Sequence, residues 1–78
     1  MPRYYFHLRT AAGLEEDPDG ADFPSLDTAK SEASKAAREM LSDRVWNGEA
    51  LFGDVFEIAS EDGTIMATIP FKSVSRSN

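Results

Sequence analysis

With 78 residues, 41% of them hydrophobic and 10% aromatic, the sequence suits one small globular domain and is not the composition of a disordered chain. It has no cysteine, which excludes disulfides, thiolate nucleophiles and cysteine-held metals. A net charge of -6 repels phosphate backbones and argues against nucleic-acid binding, while suiting a basic partner.

The first predicted element is a strand from Arg3 to Arg9, where Tyr4, Phe6 and Leu8 alternate with Arg3, Tyr5, His7 and Arg9. The Thr10–Gly13 stretch reads as a turn, and Leu14 to Asp17 as a short acidic return strand suited to a sheet edge. Asp17-Pro18-Asp19-Gly20 ends it, with Pro18 fixing φ and Gly20 supplying the turn exit.

A long helix follows. Ser25 is placed as N-cap, Asp27 adds negative charge to the first turn, and Gly48 is placed to stop the helix. Leu26, Ala29, Ala33, Ala36, Ala37, Met40, Leu41 and Val45 form one apolar stripe. Its alanine centre lets the helix axis approach a sheet closely. Such a helix is about 30 Å long and overhangs a sheet of four strands, about 15 Å across, unless it runs nearly along them. The overhang would bring Trp46 close to Leu51 and Phe52.

The last pattern is a hairpin. Phe56 and Ile58 share one face of a third strand, and Ile65, Ala67, Ile69 and Phe71 share one face of a fourth. Bringing both sets to one side calls for an even-numbered loop, either Asp62-Gly63 or Glu61 to Thr64; a three-residue loop with a Gly63 bulge would need compensation elsewhere. Pro70 removes an amide donor near the end of the strand. The expected fold class is α+β in the order ββαββ, a four-stranded antiparallel sheet of two hairpins with one long helix packed on one face. Residues 1–72 are expected to form a single compact domain and 73–78 a frayed tail.

The opening Met-Pro-Arg-Tyr-Tyr-Phe-His, the stretch from Glu16 into the helix, and Glu61 to Phe71 resemble a family of small bacterial proteins known only as a domain of unknown function. That resemblance implies a compact domain and carries no mechanism. A looser similarity, in the sequence of strands, acidic turn and Ala-rich helix, is to HicB-type antitoxins. No appended DNA-binding segment is evident here.

If one helix covers one side of the sheet, the other side is formed by Arg3, Tyr5, His7 and Arg9 with Val55, Glu57, Ala59, Thr64, Met66 and Thr68. Aromatic, arginine and methionine side chains together are the composition of a protein interface. An ordinary solvated sheet face and a small anionic ligand held by Arg3, His7 and Arg9 are the other readings. His7 lacks an evident catalytic partner and is expected to pair with Glu15 or Glu57, or to make an interface contact. Asp17, Asp19 and Asp22 lack the ligand pattern of a calcium loop, so no metal or other cofactor is expected. Trp46, Leu51 and Phe52 either close the core or form a second apolar contact.

The sequence thus leads to a non-enzymatic cytoplasmic interaction module, partnered by itself as a homodimer, with Arg3, Tyr5, His7, Arg9, Met66, Trp46 and Phe52 as contact residues. An antitoxin-like inhibitor of a basic partner protein is the alternative. Membrane contact is not expected, because no run of about 18 apolar residues occurs and no signal pattern precedes the first strand.

Overall fold

The computed structural model describes residues 2–46 and 53–74, without the side chains of 41–46. The chain runs β1 (Arg3–Thr10), β2 (Gly13–Glu15), β3 (Ala21–Asp22), α1 (Leu26–Trp46), β4 (Val55–Ala59), β5 (Ile65–Pro70) and α2 (Phe71–Val74). The sheet is antiparallel in the order β2-β1-β4-β5, with β3 also pairing β1. Among the described residues the α+β class and the single long helix agree with expectation, while the sheet has five strands rather than four. No helix among the described residues is long and apolar enough to cross a membrane.

The fifth strand arises because the return segment leaves β1 and then rejoins it. Leu8 pairs with Glu15 and Tyr4 with Ala21, so four residue steps along β1 face six along the return. Two residues too many must leave the ladder, and 16–20 form the excursion. The edge is therefore two short pieces, not one strand running to Asp17.

Helix α1 follows its sequence pattern. The Thr28 N–H donates to Ser25 Oγ at 3.2 Å and the Ala29 N–H to the Ser25 carbonyl, the arrangement of an N-cap. Ala29, Ala33 and Ala37 are fully buried, with Leu26, Ala36 and Met40 packed at the margin of the core. Against them lie Tyr4, Phe56, Ile58, Ile69 and Phe71, flanked by Phe6, Leu8 and Ala67. Phe23, absent from the expected core, stacks on Phe6 at 5.6 Å between ring centroids. Leu41 and Val45 of the stripe, and the expected meeting of Trp46 with Leu51 and Phe52 beyond the Gly48 stop, lie outside the described side chains.

The β4–β5 hairpin reaches its register by the route that needs compensation. The Gly63 N–H donates to the Ser60 carbonyl, Gly63 has φ +90°, and the Ser60 N–H donates to the Thr64 carbonyl, giving a three-residue loop from Glu61 to Gly63. One step on, Ala59 pairs with Ile65 while Ile58 pairs with Ala67, so the register skips Met66. This bulge supplies the missing residue of parity. Ala67 and Ile69 consequently reach the core side with Ile58 and Phe56, but Ile65 does not. It shares a face with Ala59 and Tyr5 and is 46% exposed.

Beyond Pro70 the chain turns into α2. Its first residue, Phe71, is fully buried and its N–H donates to the Asp54 carbonyl at 2.9 Å. Residues 73 and 74, expected to fray, belong to this helical turn, and Val74 packs on the core.

Candidate functional site

Alternation along β1 places Tyr4, Phe6 and Leu8 beneath α1 and turns Arg3, Tyr5, His7 and Arg9 to the opposite face. The register sets Tyr5 beside Ala59, His7 beside Glu57 and Arg9 beside Val55. One side of the row is thus built by β4, and the other by the excursion between β2 and β3.

Asp17 organises that excursion. Its Oδ2 accepts the Phe6 N–H at 3.1 Å, an amide of β1 that faces no strand residue where the return segment has left the ladder. Its Oδ1 accepts the N–H groups of Asp19 and Gly20 at 3.1 and 3.2 Å, closing a turn around Pro18. Partial burial pushes the Asp17 carboxyl up, but the N–H groups of Phe6, Gly20 and Asp19 outweigh it and hold the carboxyl below its ordinary range.

The backbone N–H of Asp17 donates to His7 Nδ1 at 3.0 Å. That nitrogen is therefore the unprotonated one, leaving the ring hydrogen on Nε2. The expected His7 partners, Glu15 and Glu57, are not the ones it takes. Tyr5 stacks beside His7 with ring centroids 6.3 Å apart and planes inclined by 24°. Gly20 passes directly against Tyr5: a Cβ there would lie 2.8 Å from the Tyr5 ring and 2.9 Å from the Tyr4 carbonyl oxygen, and φ is +68°. Only glycine meets both conditions.

Both arginines are satisfied within the chain. Arg3 donates to the Asp19 carbonyl at 2.8 Å and pairs with Asp22 at 3.3 Å. Arg9 pairs with Glu57 on β4, and that hydrogen bond, helped by the charge of Glu57, raises the guanidinium pKa further. Tyr5 and His7 are half-buried where Gly20 lies against the one ring and the Asp17 N–H meets the other, so the chain's own acidic segment shelters part of a face expected to be open.

A cleft of about 310 Å³ remains between that segment and the β4–β5 loop, with Tyr5, His7, Asp17, Pro18, Ser60 and Glu61 among its lining. The Ser60 hydroxyl donates to Asp62 rather than to His7. Together with the Thr64 N–H it pulls the Asp62 carboxyl down to about 2. Met66, at the bulge, is 46% exposed like Ile65. The structure therefore brings Tyr5, His7, Arg3 and Arg9 onto one surface. Met66 lies at the β5 edge, among the residues around Arg3 and Ser60. Trp46 and Phe52 are outside the described side chains.

Asp17 and Gly20, read from the sequence as part of a turn and, for Asp17, as a rejected calcium ligand, prove to shape the surface around Tyr5 and His7. The Asp17-Pro18-Asp19-Gly20 turn signal was present, but nothing local shows that its first carboxylate reaches across to Phe6. No curated protein and no solved structure matches the chain. A family model described as domain of unknown function (DUF6894) matches residues 3–72, and over that span, nearly its whole length, the chain belongs to this family.

Proposed function

We propose that this chain is a non-enzymatic, self-associating protein-binding module of the cytoplasm, with its contact surface on the Tyr5 side of the sheet. The supporting observation is the exposed pair Ile65 and Met66, carried outward by the bulge beside Ala59 and Tyr5. Large apolar side chains adjoining half-buried aromatics are what a protein contact removes from water. A small anionic ligand finds less support, because Arg3 and Arg9 already hold Asp19, Asp22 and Glu57. Catalysis finds less as well: His7 Nδ1 receives a backbone N–H, and the neighbouring Ser60 hydroxyl turns to Asp62.

Sedimentation equilibrium tests the proposal. The wild type is expected to dimerise by high micromolar concentration, and Met66→Glu to weaken the dimer at least about tenfold, as charge is desolvated in place of an apolar side chain. A strictly monomeric wild type would remove it.

A second reading is favoured by the acidic cleft. Glu16, Asp17 and Glu61 surround the Tyr5 and His7 rings, a setting for a cationic side chain of a basic partner protein, as in an antitoxin-like inhibitor. If a small basic protein is encoded beside this chain, calorimetric titration is expected to show binding that Glu16→Lys with Glu61→Lys weakens more than about tenfold, mostly at low salt. Absence of heat with that neighbour counts against this reading.

A further inference from the structure

The two edges of the sheet are unequally protected. The β2/β3 edge is three residues, a detour and two residues, and it carries Glu15, Glu16, Asp17, Asp19 and Asp22. Short pieces and like charge are the usual defences against pairing with another strand. The other edge has neither: β5 is a six-residue strand, Ile-Met-Ala-Thr-Ile-Pro, without a charge, and its bulge at Met66 and its Pro70 leave residues 67–69 between them regular. Among the described residues it pairs only with β4. Its first two side chains are the exposed Ile65 and Met66.

The flank of α1 above β5 carries a second signal. Asp27, Lys30, Ser31, Ser34 and Arg38 line an open groove with Ile69. The acid lies near one end of this strip, a base at the other, and small serines between. Two β5 strands paired antiparallel about a two-fold axis bring the two helices to the same side, running in opposite directions. Asp27 of each copy then faces Arg38 of the other, and the serines let the helices approach. The acidity of the whole chain opposes association in general, but this strip carries two bases and one acid.

We infer that a second copy of this chain docks along the β5 edge, continuing the sheet from β5 to β5 across a two-fold axis with reciprocal Asp27–Arg38 contacts. This rests on the self-association proposed above and places it at the β5 margin of the Tyr5 side, where Ile65 and Met66 lie, with α1 contacts added from the other side. The pairing also brings Ile65 and Met66 of both copies to the shared edge.

Backbone amide exchange measured across a concentration series, beside sedimentation, tests it. Amides within residues 65–69 that point away from β4 are expected to slow at least about tenfold as the dimer forms. Arg38→Glu is expected to raise the dimer dissociation constant about tenfold or more, since two-fold symmetry counts each reversed pair twice. Asp27→Arg with Arg38→Glu is expected to restore it. A dimer whose β5 amides exchange at concentration-independent rates overturns the edge geometry and leaves self-association standing; a monomer at every concentration overturns both.

Discussion

Phe71→Ala is expected to lower the unfolding free energy by about 3–5 kcal/mol, the range for a fully buried aromatic truncated where its surroundings cannot close. Phe71 is 0% exposed, and its ring lies 5.0 Å from that of Phe56 at 46°, a tilted pairing favourable to both quadrupoles. Its backbone is also tied down. Pro70 ends the β5 ladder, and the Phe71 N–H donates to the carbonyl of Asp54 at the entry to β4. The neighbourhood is thus held on two sides and has little freedom to collapse into the space left. A domain of 78 residues has a total stability of roughly 4–12 kcal/mol, so one such cavity removes a large part of it. Thermal unfolding followed by circular dichroism should show a melting temperature lower by roughly 12 °C or more. Phe71→Leu, which keeps most of the volume, should lose less than half as much. A wild-type-like melt for Phe71→Ala would mean that the α2 turn is not part of the cooperative core.

What was legible in the sequence was local and periodic. Ser25 and the Ala29, Ala33, Ala37 repeat declare helix α1 and its buried side within a few residues of chain. The alternation of β1 declares its two faces just as directly. What was not legible depends on a neighbour's register. Ile65 has the parity of Ile69 by count, yet the bulge at Met66 puts it on the other face, and a bulge is a property of two strands rather than one. Glu57 could be placed on the His7 face, but whether it meets His7 or Arg9 is decided by side-chain reach across the ladder. The same holds for Arg3, whose partners Asp19 and Asp22 come from the excursion. Periodicity assigns a residue to a face; only the neighbouring strands decide whether its charge is still available there. That is why a row read as two open cations is paired within the chain, and why the contact proposed above rests on Ile65, Met66 and the β5 edge.

Asp17→Ala tests whether the sheltered face depends on that single carboxylate. The substitution leaves the N–H groups of Phe6, Asp19 and Gly20 without their acceptor at once. Hydrogen bonds to a charged group are stronger than neutral ones, but this turn is close enough to water for partial replacement, so the expected loss is about 2–3 kcal/mol. The pH dependence separates this from a packing effect. The folded Asp17 carboxyl lies below its unfolded value of about 3.9, so its contribution is fully present above that pH and is lost as pH falls through the lower folded value. Wild type should therefore lose stability on acidification more steeply than Asp17→Ala, and the two should converge in strong acid. Asp62, held at about 2, keeps some acid sensitivity in both proteins, so the difference between them is the quantity to follow. Asp17→Asn retains one carbonyl oxygen for the turn while facing Phe6 with an amide, and it should fall between the two. The excursion also places the backbone N–H that fixes the His7 ring and the glycine that lies against Tyr5. Loss of Asp17 should thus broaden or shift the His7 and Tyr5 ring resonances at neutral pH, before any global unfolding. Equal acid slopes for wild type and Asp17→Ala, with unshifted His7 and Tyr5 resonances, would show that the excursion holds its shape without this carboxylate.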